Sequence, residues 1–448
     1  MRKMSLAMEV TLEKMERFYS RKYGLANTGA TSSQTPSFGI DNNNHYTIGN
    51  MIPIYTSWMT AIDANYPGGG VSIDSVKSRI KAFGEFIERQ LCISDDFAAA
   101  ILFDSYDNLT NKGYICLDLK DLIAHENHLY DDPSFPFPRY DSSCKIYWIQ
   151  GIDSINGAKT WLPAQVVLFG YSKHQKEAVY TIRLSTGLAC GSNFYQAALG
   201  AVHEVIERDS FMLTWHLQIP GVRIEIDNCQ NSALAELYAH MCKHIMGEDR
   251  LYVYDISKTD GVYTILSFIR NDLPNAYGLI VSAATHTDPE TAVLKALEEL
   301  CQCQQFAYHS LMGEHGKKYQ RMDVIDIDEL HKHFFYYSTG IHSKNINFIS
   351  EGNKHIKLSK MQNYATGSDE NNLAYLIHLF RQNNQPLYIT DITNTITRIG
   401  GFFVLKAVIP GYVDLEVTQQ YRQLKYSRLQ KYKELLERTI NCNPHPFP

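Results

Sequence analysis

Glutamates spaced three residues apart and followed by an arginine are the clearest chemical feature of this sequence. Residues 85–89 and 204–208 both read Glu-x-x-Glu-Arg. Acids three apart on a helix share one face at about 5–6 Å, and each raises the pKa of the other unless cations or donors hold them. One such motif is typical of a solvated helix face, because charged residues are mostly exposed. The repetition of the motif favours a shared pocket instead.

A third acidic segment begins near residue 289 and contains Lys295, Glu298, Glu299 and Gln302. If the three segments are helices that pack together, at least five carboxylates meet in one pocket. Divalent cations are needed to hold such a set, and Mg²⁺ prefers oxygen ligands and usually binds together with substrate phosphates. The sequence therefore predicts a nucleotide site of unusual design, because residues 157–160 (Gly-Ala-Lys-Thr) lack the upstream glycine of a phosphate-binding loop.

The surroundings of these segments predict the elements that position them. A β-rich run at 179–184 and a small-residue turn containing Gly187 and Gly191 precede the helix of the second motif. Helices are expected at 74–92 and 289–312, and strand-like runs alternate with helices elsewhere. This order predicts an α+β fold with internal pseudo-symmetry, in which mixed sheets pack with helices around the site.

The remaining chain divides into a leading segment, 1–64, with a polar loop, and a catalytic domain, 65–448. A long polar stretch at 337–371 is expected to be a mobile loop over a site or an insertion. A charged helix is expected at 419–439. The last residues, 441–448, carry proline at every second position, which indicates either a disordered terminus or a stiff, functional tail.

Composition limits the function classes. A net charge of −6 and a pI near 6.3 give no basic footprint, so no nucleic-acid partner is expected. No apolar run approaches the about 20 residues of a membrane span, and the N-terminus does not resemble a signal peptide. The nine cysteines are scattered and favour a reducing compartment, so a cytoplasmic location without membrane association is expected.

Several of these segments, in this order, resemble the YcaO family. They are Glu85–Arg89, Leu162–Ala164, Ser185–Gly191 running into His203–Asp209, Thr287–Ala292 running into Lys295–Glu299 with Gln302, and Val408–Gly411. The resemblance covers roughly residues 65–448. It implies a YcaO-type fold around a Mg-ATP site without a phosphate-binding loop.

The resemblance also implies roles for individual residues. The metal ligands that it implies are Glu85, Glu88, Glu204, Glu207 and Glu299. The nucleotide-binding residues that it implies are Ser192, Gln196, Arg208, Lys295 and Glu299. Gln196, Lys295 and Ser192 stand where relatives often have Glu, Arg and Asn; Gln still offers a carbonyl oxygen, whereas Lys lacks the bidentate fork of Arg.

The ending Pro444–Pro448 looks like the tail of the azoline-forming members of the family. This likeness implies an ATP-dependent cyclodehydratase that converts Cys, Ser or Thr of a ribosomal precursor peptide into thiazoline or oxazoline, as in the biosynthesis of azole-containing bacteriocins. The C-terminal carboxylate of Pro448 is expected to act as the catalytic general base.

Partners follow from the same likeness. Besides the precursor peptide, it implies an E1-like or ThiF-like protein that binds the leader, because no leader-recognition domain is evident here. An FMN-dependent dehydrogenase that oxidises azolines to azoles is a further expected partner, and a homodimer or a hetero-oligomeric synthetase is the expected assembly.

Two other interpretations stay open. A YcaO protein can act on another acceptor and form thioamides or amidines, or assist the methylthiolation of a ribosomal protein. The chain can also be a non-catalytic scaffold with structural acids, although all five matched glutamates are present. His203, His286 and His445 are expected to be surface or hydrogen-bonded histidines.

Overall fold

The structure, a computed structural model, describes most of the chain. The described residues are 6–18, 26, 28–33, 35–40, 46–60, 67–91, 99–169, 177–182, 184–244, 251–270, 278–311, 319, 322–339 and 342–448. Where it is described, the polar loop expected within 1–64 forms strands instead, at Thr28–Ser32, Thr35–Ile40 and Tyr46–Ile52. Residues 27, 34 and 41–45 of that loop lie outside the described residues, as do 340–341 of the stretch at 337–371.

Helices and strands alternate along the described chain, as expected for an α+β fold. The helices are α1 (Leu6–Glu16), α2 (Ser75–Leu91), α3 (Tyr106–Asn111), α4 (Ala164–Val167), α5 (Phe194–His216), α6 (Ser232–His244), α7 (Pro289–Leu311), α8 (Leu330–Ser338), α9 (Asp369–Gln382), α10 (Thr395–Ile399) and α11 (Ser427–Leu435). The strands are β1 (Thr28–Ser32), β2 (Thr35–Ile40), β3 (Tyr46–Ile52), β4 (Tyr55–Thr60), β5 (Gly68–Ser72), β6 (Ile101–Ser105), β7 (Lys145–Asp153), β8 (Lys159–Pro163), β9 (Leu188–Gly191), β10 (Val222–Glu225), β11 (Leu251–Asp255), β12 (Tyr263–Arg270), β13 (Leu279–His286), β14 (Lys354–Lys357), β15 (Tyr388–Asp391) and β16 (Phe403–Val408).

The three acidic helices are built by the same local unit. Each of α2, α5 and α7 follows a strand (β5, β9 or β13) after two intervening residues. The second of these residues is Asp74, Asn193 or Asp288, and its side-chain oxygen accepts hydrogen bonds from backbone N–H groups of the first helical turn. Asp and Asn are strong helix caps for this reason, so the sequence starts each helix at a defined residue.

The three units pack in a cycle. Besides its own strand, α2 packs against β9, α5 packs against β13, and α7 packs against β5. Each of these strands is the edge strand of a different sheet: β1-β4-β5, β13-β12-β11-β10-β14, and β6-β7-β15-β16-β9 with β8 paired to β7. The internal pseudo-symmetry expected from the sequence is thus a threefold cycle, with the acidic helices around its centre.

Helix α5 is the most enclosed of the three helices. Sixteen of its 23 residues are buried, among them Phe211 and Trp215. Trp215 packs edge-on against Tyr337 and Phe348. Close packing of this kind fixes the rotation of the helix, and therefore the direction in which its acids point.

Two predicted elements differ from the structure. The described part of 179–184 is not a strand, because side chains take its polar groups: Tyr180 N donates to Gln165, and Lys406 donates to Leu184 O. The helix predicted at 419–439 is limited to α11, because Arg422 is anchored to Glu416 and Glu437 has a φ of +51°.

The polar stretch at 337–371 is not a structureless loop where it is described. It contains two short 3₁₀ helices (Ser343–Ser350 and Leu358–Lys360) and β14. Strand β14 pairs in parallel with β10 and completes the five-stranded sheet. The division of the chain near residue 65 remains a prediction; across it, β4 pairs with β5.

Candidate active site at the meeting of three helices

The acids of the three helices occupy equivalent positions. The residues that lie eleven and fourteen positions after the capping residue are Glu85 and Glu88 on α2, Glu204 and Glu207 on α5, and Glu299 and Gln302 on α7. Since the helices start at matched caps and pack in a cycle, equal spacing along each helix brings these six side chains to the same level. The five glutamates predicted as metal ligands are thus placed around one centre.

Electrostatic contacts connect the five carboxylates into a ring. Glu88 interacts with Glu204 and Glu85, and Glu207 interacts with Glu204 and Glu299. Glu299 interacts in turn with Glu85, which closes the ring.

The pKa values of four carboxylates in this ring are raised. Burial and then the charges of Glu204 and Glu85 raise the pKa of Glu88 well above its usual value. Burial likewise raises the pKa of Glu207 strongly and that of Glu204 to a lesser extent. Glu299 is exposed to solvent at its side chain, but the protein atoms packed around it desolvate the carboxyl group and raise its pKa to about 7. Burial thus outweighs the nearby cations Arg208, Lys81 and Lys295, so added positive charge would stabilise the ionised carboxylates.

Arg208 is the cation at the centre of α5. Its Nη2 lies 3.5 Å from an oxygen of Glu204, and its Nε lies 4.0 Å from an oxygen of Glu207. Nε and Nη1 are buried and have no hydrogen-bond partner among the described residues. An unsatisfied guanidinium is costly in a protein interior, so these two N–H groups are available for an anion such as a phosphate.

Two glycines bring backbone donors to the ring. Gly69 N donates to Glu85 Oε2 at 2.5 Å, and Gly187 N donates to Glu204 Oε2 at 3.0 Å. A Cβ on Gly69 would lie 2.4 Å from Nε2 of Gln302, and Gly187 has a φ of +80°. The close approach and the left-handed backbone both explain why glycine occupies these positions.

Ser192 and Gln196 lie apart from the carboxylates, at the N-terminal end of α5. Ser192 donates through its backbone N and its Oγ to Gln196 Oε1, both at 2.8 Å. Gln196 precedes Glu204 by eight residues, or about 12 Å of helix. A nucleotide that touches these residues and the ring must therefore run along about two turns of α5.

The C-terminal tail does not project from the protein but enters the core beside α5. Trp215 Nε1 donates to Asn443 O at 3.1 Å, and Tyr337 OH donates to Pro444 O at 2.7 Å. The Phe447 ring lies against Phe211, with centroids 4.7 Å apart, and its face covers the guanidinium of Arg208. The residue before Pro448 thus contacts the cation of the carboxylate ring.

Of the three histidines predicted as surface or hydrogen-bonded groups, His286 and His445 make hydrogen bonds, as predicted. His445 is fully buried and stacks on His333 at 4.0 Å, and burial holds the pKa of both rings low, so they stay neutral. His203 is buried beside His286, at 5.3 Å between ring centroids, and its Nε2 has no hydrogen-bond partner among the described residues. The two histidines of each pair are far apart in the sequence, so no sequence motif predicts that they meet.

The donor set fits Mg²⁺ and a polyphosphate. Within the described ranges, no three Asp, Glu, His or Cys side chains converge closely enough to chelate an ion by themselves. Mg²⁺ commonly binds through one or two carboxylates, with waters and substrate phosphates completing its shell. A ring of carboxylates with raised pKa values next to an unsatisfied guanidinium matches that mode of binding.

A family profile, YcaO cyclodehydratase, ATP- and Mg²⁺-binding, matches residues 69–413. An uncharacterized protein of Methanothermobacter thermautotrophicus is 22% identical over 275 residues, which are 60% of this chain and 66% of that protein. ATP and Mg²⁺, the cofactors expected from the sequence, are those that the family description names. No helix in the described part of the chain is long and apolar enough to cross a membrane.

Solved structures share the fold. A heterocyclase in complex with substrate and cofactor superimposes with a TM-score of 0.73 at 16% identity, over 98% of this chain and 57% of that protein. YcaO from Methanopyrus kandleri, bound with AMPPCP and Mg²⁺, gives 0.63 at 15% identity, over 99% of this chain and 96% of its own. The E. coli microcin synthetase McbBCD complex gives 0.56 at 16% identity, over 88% of this chain and 90% of the matched one. The present chain spans little more than half of the first of these proteins and about two thirds of the archaeal relative.

The order of motifs, the cyclic carboxylate site and a profile match over most of the chain lead to one conclusion: the protein belongs to the YcaO family of ATP-binding enzymes.

Proposed function

We propose that this protein is an ATP-dependent cyclodehydratase that converts Cys, Ser or Thr of a ribosomal precursor peptide into thiazoline or oxazoline, for an azole-containing, bacteriocin-like product. The observation that carries the proposal is the position of the tail: Phe447 lies on Arg208, whose guanidinium lies within 4.0 Å of Glu204 and Glu207 of the carboxylate ring. The alternating-proline ending and the nucleotide site are thereby parts of one site.

The reaction proposed has three chemical events. The thiol or hydroxyl of the peptide attacks the preceding carbonyl carbon, and the resulting oxygen is phosphorylated. Loss of phosphate and of a proton then leaves the five-membered ring, so the peptide loses one water in total. When bound, ATP with Mg²⁺ supplies the phosphoryl group that turns a poor leaving group into a good one.

The residues of this chain position the reactants. The metal ligands proposed are Glu85, Glu88, Glu204, Glu207 and Glu299, and the nucleotide-binding residues proposed are Ser192, Gln196, Arg208, Lys295 and Glu299. Arg208 offers two donors to developing negative charge in an enclosed site, where charge placement contributes most to phosphoryl transfer.

The C-terminal carboxylate at Pro448 is proposed as the general base that takes the proton of the attacking thiol or hydroxyl. Two contacts of the tail support this role. Phe447, the residue before Pro448, is held against Arg208, and the buried His445 has its Nε2 2.9 Å from Glu416 O. A tail held at two points limits where its last residue lies, as a general base requires.

The partners proposed are the precursor peptide, an E1-like or ThiF-like protein that binds its leader, and an FMN-dependent dehydrogenase for oxidation to azoles. A homodimer or a hetero-oligomeric synthetase is the proposed assembly. The microcin synthetase complex with pro-MccB17 bound, which shares the fold at a TM-score of 0.58 and 14% identity, supports a peptide substrate handled within a synthetase.

The test is mass spectrometry of the precursor peptide encoded nearest to this gene, incubated with the protein, ATP, Mg²⁺ and any neighbouring E1-like protein. We expect a loss of one water per modified residue with release of ADP and phosphate, and no product with Glu207→Gln. ATP hydrolysis without loss of water would contradict azoline formation and would direct the search to a thioamide or amidine product. The absence of ATP turnover with every peptide would favour a scaffold subunit.

A further inference from the structure

Lys81 of α2 faces the same centre as the carboxylate ring, although no motif in the sequence singled it out. It lies seven residues after its capping residue, Asp74, and Lys295 lies seven residues after Asp288 on α7. The threefold cycle therefore places two lysines at equivalent positions of neighbouring helices. Lys295 belongs to the proposed nucleotide site, which raises the question of what its counterpart does.

The contacts of Lys81 orient its ammonium group. Nζ donates to Val71 O at 2.9 Å and to Glu298 Oε2 at 2.5 Å. Glu298 is 5% exposed at its side chain, whereas Lys81 is 38% exposed. An ammonium has three donors, so these two bonds hold the group in place and leave one N–H for a ligand.

Lys81 lies close to two other cations of the site, Lys295 and Arg208. Burial and then the charge of Lys81 lower the pKa of Lys295, which means that the two ammonium groups repel each other. Lys81, Arg208 and Lys295 all act on Glu299, with Lys81 the strongest of the three. These three cations lie among the carboxylates of the ring, and the donors left on Lys81 and Arg208 are placed to bind a multiply charged anion that arrives with Mg²⁺.

We infer that Lys81 binds the polyphosphate of the nucleotide, opposite Lys295, and that Glu298 positions Lys81 for this contact. The inference rests on the proposed function insofar as the ring binds ATP with Mg²⁺. It adds a third helix to phosphate recognition, because Arg208 lies on α5 and Lys295 on α7. An ion pair between α2 and α7 that only holds the fold together is the competing explanation.

The paired variant Lys81→Met/Glu298→Met separates the two explanations. Replacing both members of a buried ion pair by apolar residues of similar size is often neutral or stabilising, whereas removing one member leaves an unpaired charge. If the pair is only a bridge, the paired variant binds nucleotides like the wild type. If Lys81 contacts phosphate, the paired variant folds normally and still binds ATP weakly.

The experiment is isothermal titration of the full chain with ATP, ADP and AMP in the presence of Mg²⁺. A charge-assisted hydrogen bond contributes about 1.5–3 kcal/mol, so Lys81→Met and the paired variant should weaken ATP and ADP binding by about ten- to a hundredfold. AMP affinity should stay unchanged, and Lys81→Arg should restore most of the ATP affinity. Glu298→Gln should weaken ATP more than AMP, as expected for a positioning residue.

Two controls keep the outcomes distinct. Lys77→Met removes an exposed lysine one turn earlier on α2 and should change nothing. Lys295→Met should weaken ATP binding whether or not Lys81 takes part. Unchanged ATP affinity in Lys81→Met, an equal loss for AMP, or recovery in the paired variant would overturn the inference and leave the proposed function intact. If the wild type binds neither ATP nor AMP, the proposed function itself fails.

Discussion

The ring of Phe447 covers the guanidinium of Arg208, with 4.3 Å between the ring centroid and Cζ. Phe447 is 3% exposed, and the Arg208 guanidinium lies 3.5 Å from an oxygen of Glu204 and 4.0 Å from an oxygen of Glu207. A residue of the tail and a residue of the proposed nucleotide site therefore constrain each other, although 239 positions separate them in the sequence. Changes to the tail should act on the reaction through this contact.

Phe447→Leu tests that relationship. Leucine preserves apolar burial but offers no ring face to Arg208, and a cation–π contact contributes about 0.5–2 kcal/mol. Product formation should fall about two- to thirtyfold, while ATP affinity changes little. Phe348→Leu is the matched control, because it removes a buried aromatic side chain that packs on Trp215. Equal losses in both variants would show that packing alone matters.

Removal of residues 444–448, or extension of Pro448 by one glycine, tests the proposed general base. The first change removes the terminal carboxylate from the site, and the second displaces it by one residue, about 3.5 Å. Both should abolish ring formation while much of the nucleotide binding remains, as measured by mass spectrometry and titration calorimetry. Full ring formation by the extended protein would contradict the role proposed for Pro448.

Glu207→Gln should stabilise the metal-free protein but reduce the stability that the protein gains from Mg²⁺-ATP. In the metal-free protein, burial and then the charges of Glu299 and Glu204 disfavour the ionised form of Glu207, so its replacement by a neutral amide should raise the melting temperature by an amount equivalent to roughly 1 kcal/mol. The wild type should gain about 2.7 kcal/mol from ligand at a hundredfold excess over Kd, and the variant should gain much less. Glu434→Gln, an exposed residue on α11, should behave like the wild type. Equal stabilisation of both variants by the ligand would rule out Glu207 as a metal ligand.

The stability gained from Mg²⁺ should rise with pH. Burial raises the pKa of Glu299 to about 7 and that of Glu207 in the same direction, so the metal-free folded protein holds protons that the unfolded chain releases between about pH 4.5 and 7. These groups make the metal-free protein less stable as pH rises through that window. Mg²⁺ must displace the same protons, so its affinity should fall by up to about tenfold per pH unit and per proton below pH 7.

Thermal melts between pH 5.5 and 8, with and without Mg²⁺, measure this linkage directly. The difference between the two melting temperatures should grow towards pH 8, and Glu299→Gln should flatten the dependence. A difference that is constant across this range would show that protons and Mg²⁺ do not compete for the ring.

Gly187→Ala and Gly157→Ala form a matched pair for the backbone donors. The φ values are +80° and +78°, so both variants pay a similar left-handed strain of about 1–2 kcal/mol. A Cβ at Gly187 would also lie 2.4 Å from Ala407 O, whereas no atom lies within 4 Å of a Cβ at Gly157. Gly187→Ala should therefore lower the free energy of unfolding more than Gly157→Ala does. It should also weaken Mg²⁺-ATP binding, because Gly187 N donates to Glu204. Equal destabilisation in urea unfolding would show that the steric contact relaxes.

The sequence alone determined the chemistry of the site and the helices that carry it. A spacing of three residues places Glu204 and Glu207 on one helix face by local geometry, and Asn193 starts that helix by local hydrogen bonding, so both could be predicted. The family followed from several motifs in order. The described part of 179–184 differs from the predicted strand because side chains distant in sequence, such as that of Lys406, bind its backbone groups.

Only the tertiary structure decided how the local units meet. Each acidic helix packs against the strand of another unit, and nothing local specifies that cycle. The contact between Lys81 and Glu298 joins residues 217 positions apart, and the contact of Phe447 with Arg208 joins the tail to α5. The sequence supplies the charges, but packing forms the low-polarity interior that raises the pKa values of Glu88, Glu204 and Glu207 and brings the carboxylates and cations into a single site.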